Sequence, residues 1–313
     1  MLDVRRLRLL AEFAAQGTVA ATAEALHLTG SAVSQQLAAL EKEAGVPLLL
    51  KRGRRLELTA AGQRLIDHAH VVLGNLAAAE SELAAMRRGE RGSVRIAAFP
   101  TAARALLPRL WPDPGQAPAP DAPVIHVFEQ EPHAAEAALG RHQVDIAVTH
   151  TYSLVPRPLP PGCEQRALFE EPVLLVLHPA DAARHGLAAG APAELKDFAD
   201  APWLLPGPET ACHEMTQRAC GAAGFVPQPV AVANDFTVLT ALISRRAGVA
   251  LIPRLALPSP SPELSVHMLT TPVHRSVQAV YHTGTGRRPD ICGTLDMLAS
   301  AADSQVPAPT GRP

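Results

Sequence analysis

The amino-terminal segment alternates apolar and polar positions with the period of an α-helix in three successive stretches. In the first, Leu7 and Leu10 share one helical face and Gly17 is placed to end the helix. A second, short helix is predicted for Val19 to Leu26 and a third for Gly30 to about Glu43. Two helices joined by a tight connection, the second beginning at a polar end, form the helix-turn-helix pattern.

The third helix combines an apolar face with an uncharged polar beginning. Thr29 is a good N-cap, and Val33, Leu37 and Leu40 point inward at helical spacing. The first turns outside this face carry only small or uncharged polar side chains. Such donors and acceptors on a helix end can reach base edges in the major groove of DNA. This end of the helix is therefore a candidate for reading a DNA sequence.

A basic hairpin is predicted after the third helix. Leu48 to Leu50 and Leu56 to Leu58 indicate two short strands on either side of KRGRR, which gives a winged arrangement. A basic tip attracts DNA phosphates regardless of base sequence. The candidate phosphate contacts are Lys51, Arg52, Arg54 and Arg55. A charge cluster is also typical of an ordinary solvated surface, so alone it is weak evidence for a nucleic-acid partner.

From Ala60 to Arg88 the sequence predicts one long helix without proline. Its apolar residues recur at alternating spacings of four and three, which is the pattern of a coiled coil. These residues, which we call the dimer seam, are Leu65, Ala69, Val72, Leu76, Ala79, Leu83 and Met86. We predict that this helix pairs with a second copy; the alternative is a helix packed on its own chain. Gly89 and Gly92 mark a hinge after it.

The remainder of the chain alternates predicted strands and helices, the pattern of a parallel sheet with helical crossovers. The first series has strands at Ser93–Phe99, VIHVFE and Val144–His150, and helices from Pro100 to near Trp111 and at Pro132–Leu139. The second series has strands at Pro172–His178, Val230–Ala233 and GVALIP, and helices at Thr210–Ala223 and Asp235–Arg246. The strand SVQAVYHT and a final helix near Ile291 to Ala301 are expected to return to the first lobe. The predicted fold class is α/β, with two lobes after the winged helix-turn-helix and the long helix.

Ligands in doubly wound sheets bind beyond the carboxyl ends of strands, where helix N-termini offer free N–H groups. Three strand-to-helix junctions qualify, together with a crossing between the lobes. The candidate residues are Pro100, Thr101, Thr149, His150, Pro206, Gly207, Asn234, Asp235 and Phe236. We hypothesise that Thr101, Thr149 and His150 hold the polar group of a small molecule. The alternative is that these residues are ordinary N-caps and loop ends.

The chemical class of that molecule stays open at this point. His150 could add a cation toward a carboxylate, whereas Asp235 would favour an amine or a hydroxyl.

Composition narrows the classes of protein. With 313 residues the chain is expected to form two or three domains. Residues 1–92 carry 12 Lys+Arg against 10 Asp+Glu, while the rest carry 16 against 20, so the small basic excess lies in the helix-turn-helix part. No run approaches the roughly 18 to 20 apolar residues of a membrane helix, and no apolar block of a signal peptide is present. We therefore expect a cytoplasmic protein without a membrane partner.

Cofactor and metal chemistry is not indicated. Four scattered cysteines without a CxxC pair are expected to be reduced structural thiols: Cys163, Cys212, Cys220 and Cys292. His68 and His70 point to different helix faces and make a poor metal pair. No glycine-flanked serine nucleophile, phosphate loop or zinc-protease motif occurs. We expect no cofactor, no metal and no enzymatic activity.

The first 92 residues resemble the LysR-type transcriptional regulators. The resemblance is carried by LRLLAEFAAQGTVAATAEALHLTGSAVSQQLAALEKEAGVPLL and KRGRRLELTAAGQRL, in the order and spacing of that family. It implies a winged helix-turn-helix domain at residues 1–59, a dimerising linker helix at 60–90 and a two-lobed, periplasmic-binding-protein-like effector domain at 91–302. Residues 303–313 are expected to form a disordered tail.

The resemblance also implies partners and base-reading positions. Such regulators act as dimers or tetramers on double-stranded DNA, respond to a small-molecule effector and have RNA polymerase as a further candidate partner. The family's base-reading positions fall on Gly30, Ser31, Ser34 and Gln35. Many members have glutamine-proline at the first pair and arginine at the last, so this chain departs from the commonest pattern. Thr29 and Gln36 complete the candidate set, Gln36 with a solvent or phosphate contact as the alternative to base reading.

Two other classes of protein have similar lobes. A two-lobed solute-binding protein would lack the amino-terminal module and would carry a secretion signal. A two-lobed enzyme should show a clustered acid/base or nucleophile set, which the sequence does not contain. The interpretation that the sequence favours is a ligand-responsive, sequence-specific DNA-binding transcriptional regulator.

Overall fold

The computed structural model describes residues 1–52, 55–88, 92–117, 119, 122–258 and 262–304. The chain begins with three helices around one apolar core. They are α1 (Val4–Gln16), α2 (Val19–Ala25) and α3 (Gly30–Ala44). Each helix begins at a side chain that caps it, because Asp3, Thr18 and Thr29 accept backbone N–H hydrogen bonds from the first turn. The predicted helix-turn-helix is therefore present in the fold.

The wing and the long helix follow directly. Strands β1 (Leu49–Arg52) and β2 (Arg55–Leu58) pair antiparallel, with Arg52 opposite Arg55 next to the tip. Helix α4 (Ala60–Arg88) has the predicted bounds. Gly62 fixes its start against the wing, because a Cβ there would lie 2.2 Å from the Leu48 carbonyl oxygen. A glycine is thus required where the helix crosses the wing.

The carboxy-terminal domain is built from nine strands and six helices among the described residues. Its strands are β3 (Ser93–Ala98), β4 (Val124–Glu129), β5 (Ile146–Tyr152), β6 (Cys163–Leu177), β7 (Trp203–Leu205), β8 (Pro229–Val232), β9 (Ala250–Pro253), β10 (Ser265–Met268) and β11 (His274–His282). Its helices are α5 (Pro100–Leu106), α6 (Pro132–Gly140), α7 (Pro179–Arg184), α8 (Ala211–Ala222), α9 (Phe236–Ser244) and α10 (Pro289–Asp303). Short 3₁₀ helices lie between them, at Leu107–Leu110, Leu195–Phe198, Arg254–Ala256 and Thr285–Arg287.

One long strand belongs to both lobes of this domain. The first half of β6 pairs with β11, and its second half pairs with β9 and β10. Lobe I consists of β3, β4, β5, β11 and the first half of β6, with α5 and α10 on one face and α6 on the other. Lobe II consists of the second half of β6 with β7 to β10 and α7 to α9. The lobes therefore share one continuous strand.

The sheet differs from the predicted parallel one. Strands β3, β4 and β5 are parallel, but β11 lies antiparallel between β5 and β6. The predicted return of β11 to lobe I is confirmed, whereas the purely parallel order is wrong. Because β6 begins nine residues before the apolar run PVLLVL, in polar sequence with one exposed face, periodicity alone does not identify its first half.

Other boundaries also differ from the prediction. Three elements were not predicted, namely α7, β7 and β10, which are only three to six residues long. At the chain end, α10 continues through Asp303, so Asp303 is helical rather than part of a tail. Residues 305–313, the rest of the predicted tail, and Gly89 of the predicted hinge lie outside the described residues.

The long helix packs directly on lobe I. At Gly74 of α4 a Cβ would lie 3.0 Å from His142 Cε1 and 3.8 Å from His282 Cγ. The two histidine rings stack at 4.2 Å, and His282 Nε2 hydrogen-bonds the Leu139 carbonyl oxygen at 2.8 Å. A glycine on the helix surface therefore allows two lobe I side chains to approach the helix backbone.

Candidate DNA-reading helix and inter-lobe cavity

The amino-terminal end of α3 separates its anchoring side chains from its free ones. Val33, Leu37 and Leu40 are 0–2% exposed and belong to the core formed with α1, α2 and α4. The outward side chains near the helix start are exposed: Thr29, Ser31, Ser34, Gln35 and Gln36. Gly30 is half-buried, and a Cβ at this position would lie 3.7 Å from Val19 Cγ1 of α2. Burial of the anchors thus leaves a face of uncharged polar groups available.

Local hydrogen bonds distinguish these polar side chains. Thr29 Oγ1 caps the helix by accepting from the Ala32 N–H at 3.2 Å and lies 3.0 Å from Ser31 Oγ. Ser34 Oγ donates to the Gly30 carbonyl oxygen at 2.9 Å. Gln35 has no side-chain hydrogen bond within the part of the chain that the structure describes. Its amide therefore keeps both donor and acceptor for a ligand.

Gln36 points toward α1 instead. Its Oε1 accepts from Arg6 Nε at 2.9 Å, and Arg6 also forms an ion pair with Glu43 at the end of α3. Gln36 and Arg6 border a groove of about 680 Å³ between α1 and α4. This contact favours a positioning role for Gln36 over a direct contact with bases.

The wing presents its charge on exposed strand ends. Lys51 and Arg52 are exposed, and Arg52 Nε lies 3.6 Å from the Glu57 carboxylate. Arg55 pairs with Arg52 across the hairpin, while its side chain and all of Arg54 lie outside the described part of the chain. The two described cations are thus accessible to a polyanion.

The dimer seam divides into two halves. Ala69 is fully buried and Leu65 packs on the same helix-turn-helix core, so these two residues contact their own chain. Farther along α4, Val72, Leu76 and Leu83 are 40%, 42% and 55% exposed, and Ala79 is exposed as well. The side chain of Met86 lies outside the described residues. The exposed apolar stripe therefore extends from Val72 to Leu83.

A cavity of about 700 Å³ lies between the lobes at the ends of β3, β4, β5 and β7. Seven of the nine candidate ligand-binding residues line it: Pro100, Thr101, His150, Pro206, Asn234, Asp235 and Phe236. They come from strand ends and helix starts of both lobes, which is where a doubly wound domain binds ligands. The volume falls within the range of small-molecule sites.

The other two candidates lie apart from the cavity lining. Thr149 is fully buried, and its hydroxyl has no hydrogen-bond partner among the described residues. Its neighbour His150 lines the cavity because successive side chains of a strand point to opposite faces. Gly207 donates its N–H to Asn234 Oδ1 at 2.7 Å and thereby orients a lining residue.

The cavity contains a buried ion pair that the sequence did not indicate. Arg275 of β11 and Glu171 of β6 are opposite each other in the sheet and are 1% and 5% exposed. Arg275 Nε and Nη2 lie 2.8 and 2.5 Å from Glu171 Oε1, and Arg275 Nη2 lies 3.3 Å from Thr101 Oγ1. The guanidinium also lies 5.1 Å from the Phe99 ring centroid. Thr101 is thus oriented by a charged side chain.

One feature of the sequence could have pointed to the Arg275–Glu171 ion pair. Each residue lies at the border of an apolar strand, where a charged side chain is either solvated or paired. Because the two are 104 positions apart, only the sheet register shows that they pair.

His150 does not supply the cation that the sequence suggested. Its side chain is 6% exposed, between the rings of Phe99 at 4.5 Å and Tyr152 at 5.2 Å. Burial lowers the pKa of His150 well below its usual value, and the positive charges of Arg275 and Arg157 lower it further. The ring is therefore neutral near pH 7, and its Nδ1 has no partner among the described residues.

Buried thiols near the cavity are protonated. Burial raises the pKa of Cys212, which lines the cavity, to about 11 and that of Cys220 to about 12. Within the described ranges no cluster of three or more potential ligands forms a metal site. Nor does any described helix combine the length and the apolar character that crossing a membrane requires.

Comparison with known proteins matches both parts of the chain. The family model for the bacterial regulatory helix-turn-helix protein of the lysR family covers residues 4–63, and that for the LysR substrate binding domain covers residues 87–303. The chain is 28% identical over 303 residues to a probable HTH-type transcriptional regulator, LrrA of Synechococcus elongatus, with 96% of this chain and 98% of that protein aligned.

Solved structures share the fold. ArgP from Mycobacterium tuberculosis superposes with a TM-score of 0.61 at 22% identity, over 96% of this chain and 98% of that one. Full-length CbnR in complex with its target DNA superposes with a TM-score of 0.50 at 20% identity, over 97% of this chain and 100% of that one. The two family matches together cover most of the sequence, and the family is one of transcriptional regulators, not of enzymes. The chain therefore belongs to the LysR family of DNA-binding transcriptional regulators, with a helix-turn-helix domain and an effector-binding domain.

Proposed function

We propose that this regulator reads its operator with the exposed end of α3, attaches to DNA phosphates through its wing, and responds to a small molecule bound between lobes I and II. Residues 1–59 form the DNA-binding domain, 60–90 the dimerisation helix and 91–302 the effector domain. The observation that carries this proposal is the uncharged, exposed face of α3 above three buried anchors. A charged helix end would bind phosphates of any sequence, whereas neutral side chains contribute little until they meet matching bases.

Gln35 is the principal base reader in this proposal. Its unbonded amide can donate to and accept from one adenine edge. Ser31 and Ser34 are short and already hydrogen-bonded to Thr29 and Gly30, so they supply weaker contacts. Gly30 faces Val19 of α2 and offers DNA only its backbone. Gln36 positions α3 against α1 through Arg6.

The part of α4 from Val72 onward pairs with a second copy of the chain. Three large side chains there are exposed, and two turns of the helix border the groove against α1, with Leu73 and Leu76 in its lining. A second copy of α4 would cover these residues. A two-fold dimer then presents two α3 ends to two half-sites of DNA.

A lysine in this stripe tests the dimer. We expect Leu76→Lys to raise the dimer dissociation constant about 100-fold, because a charge would be buried among apolar partners. Sedimentation equilibrium measures it, with Gln63→Lys at an exposed position in the first turns of α4 as the control. An intact Leu76→Lys dimer would contradict the assignment.

Lobe I carries the signal from the cavity to the linker helix. Thr101, Arg275 and His150 belong to lobe I, and the same lobe contacts α4 at Gly74 through His142 and His282. A ligand that favours one arrangement of the lobes therefore also biases the contact with α4, and through it the spacing of the two α3 ends. RNA polymerase is a proposed further partner, because it would bind near an operator whose occupancy or bend has changed.

Gel-shift titration on the DNA that flanks the protein's own gene tests the DNA-binding part. We expect sequence-selective binding that weakens with salt, and a loss of selectivity in Gln35→Ala. The matched control is Gln16→Ala, which removes the same exposed amide from the last turn of α1 and should keep the selectivity. Binding that is indifferent to sequence would contradict the proposed reading role of α3.

A further inference from the structure

Four carboxylates line the inter-lobe cavity against three arginines. The acids are Glu129, Glu131, Glu209 and Asp235, and the arginines are Arg104, Arg157 and Arg275. Two of the arginines are neutralised by acids that do not belong to the lining, since Arg275 pairs with Glu171 and Arg157 lies 3.4 Å from Glu136. Of the lining arginines, Arg104 remains to offset the four carboxylates. The cavity therefore carries excess negative charge.

Glu129 and Glu209 lie close enough to Glu131 for their charges to act on it. Burial raises the pKa of Glu131, Arg275 opposes that rise, and the neighbouring charges of Glu129 and Glu209 raise the pKa further. Glu131 stands at the start of α6 without capping it, and it forms no ion pair within the described ranges. A cation placed among these three acids would relieve their repulsion.

An independent feature of the cavity also favours a donor. The neutral ring of His150 is more than nine-tenths buried in the cavity wall, and its Nδ1 lacks a partner in the described part of the chain. A neutral imidazole has one acceptor nitrogen, and a buried polar atom without a partner is costly. A protonated amine donates hydrogen bonds and accepts none, so it matches the carboxylates and, in the tautomer with the ring proton on Nε2, the acceptor Nδ1 of His150.

The rest of the lining suits an apolar body. Phe99, Tyr152 and Phe236 contribute aromatic surface, and Pro100 and Pro206 contribute aliphatic surface. Aromatic faces also attract cations. The guanidinium of Arg275 is 1% exposed, and its Nε and Nη2 donate to Glu171 and Thr101, so its charge is largely neutralised by Glu171.

We propose that the effector of this regulator is an organic cation, a protonated amine on an apolar body, held by Glu129, Glu131 and Glu209 with its apolar part against Phe236. This inference rests on the proposed role of the cavity as the effector site. It goes beyond that role by assigning the charge of the ligand.

Three probes of equal ring size and different charge test the assignment: benzylamine, benzyl alcohol and benzoate. Binding to the full-length protein is measured by saturation-transfer NMR and calorimetric titration. We expect benzylamine to bind at least about tenfold more tightly than the other two, at concentrations up to about 10 mM. Equal or tighter binding of benzoate would overturn the proposal, as would absence of benzylamine binding.

Isosteric variants test which carboxylates cause the preference for benzylamine. We expect Glu129→Gln/Glu131→Gln to reduce the preference for benzylamine to less than about threefold, because the shape is kept and the charge is lost. The matched control is Glu164→Gln, an exposed acid on β6 that is not part of the cavity lining, which should keep the preference. A preference unchanged in the double variant would contradict the assigned residues.

A variant with a filled cavity distinguishes failure of the cationic assignment from failure of the proposed effector site. Ala134 is an exposed lining residue on α6, so Ala134→Trp should occupy the cavity without disturbing the core. If benzoate binds best and Ala134→Trp removes that binding, the cavity is the site and only the cationic class is wrong. If benzylamine binding survives in Ala134→Trp, the cavity is not the site, and the proposed effector role fails with the inference.

Discussion

The start of α3 and the inter-lobe cavity are both proposed binding surfaces, yet they are built in opposite ways. The helix end presents neutral side chains in solvent, and its anchors are ordinary apolar residues. The cavity is lined by charged side chains, one of which, Arg275, is buried as deeply as a core leucine. A buried charge is destabilising unless it is paired, whereas an exposed neutral side chain is hydrated and contributes little to stability. Function and stability should therefore be separable in α3 and inseparable around Arg275.

Removal of the buried cation should give the largest effect. We expect Arg275→Met to lower the free energy of unfolding of the carboxy-terminal domain by about 3–5 kcal/mol, because Glu171 is left buried without its partner. Urea unfolding followed by circular dichroism measures it. Arg218→Met is the control, since its exposed pair with Glu214 should contribute less than about 1 kcal/mol. Similar losses for both variants would break the comparison.

The specificity of α3 should be the next largest effect. We expect Gln35→Ala to cost about 1–3 kcal/mol of discrimination at one base pair and to change the free energy of unfolding by less than about 0.5 kcal/mol. Competition gel shifts with single-base operator variants measure the first quantity and urea unfolding the second. A Gln35→Ala protein that unfolds easily would show that the residue is structural.

Acid pH should weaken lobe I and its contact with α4. Burial lowers the pKa of His142 to about 4, with the charges of His282, His70, Arg95 and Arg8 acting in the same direction. Between the usual histidine pKa of 6.5 and about 4 the unfolded chain binds the proton that the folded chain excludes. The stabilisation is thus complete above pH 6.5 and is lost as the pH falls toward 4.

The groups around His142 determine how strongly the stability depends on pH. His282 and His70 are shifted in the same direction, and Asp67 and Asp145 partly oppose these shifts. Because His142 is partly exposed, solvent screening limits the loss of unfolding free energy from this residue to about 1–2 kcal/mol. His142→Asn, which suits the positive φ of 56° at this position, should flatten the pH dependence of urea unfolding. An unchanged slope between pH 6.5 and 4 would refute the role of His142.

The smallest expected effect is on salt dependence. Lys51→Ala removes an exposed wing cation, so we expect the slope of log affinity against log salt to fall by about 1 without a change in base preference. Fluorescence anisotropy over a salt series measures the slope. An altered base preference in Lys51→Ala would contradict the assignment of phosphate contacts to the wing and base reading to α3.

Local sequence signals account for one of these surfaces and long-range register for the other. Thr29, Val33 and Leu37 determine the orientation of α3 within a few helical turns, so the pattern alone predicts the helix and its outward face. The cavity is located from strand ends, but Arg275 and Glu171 become partners only because β11 lies between β5 and β6. Periodicity carries no information about that pairing. For the same reason the neutral state of His150 could not be predicted.

Because strand β6 belongs to both lobes, neither lobe can be removed by proteolysis or replaced in evolution without disrupting the other. A cut or deletion that removed one lobe would strip hydrogen bonds from half of a strand whose other half belongs to the core of its neighbour. Because lobe I resumes at β11 after lobe II, exchange of either lobe alone needs two recombination points, one within β6 and one between β10 and β11. Swaps that respect the strand must move lobes I and II together, and with them the whole ligand cavity.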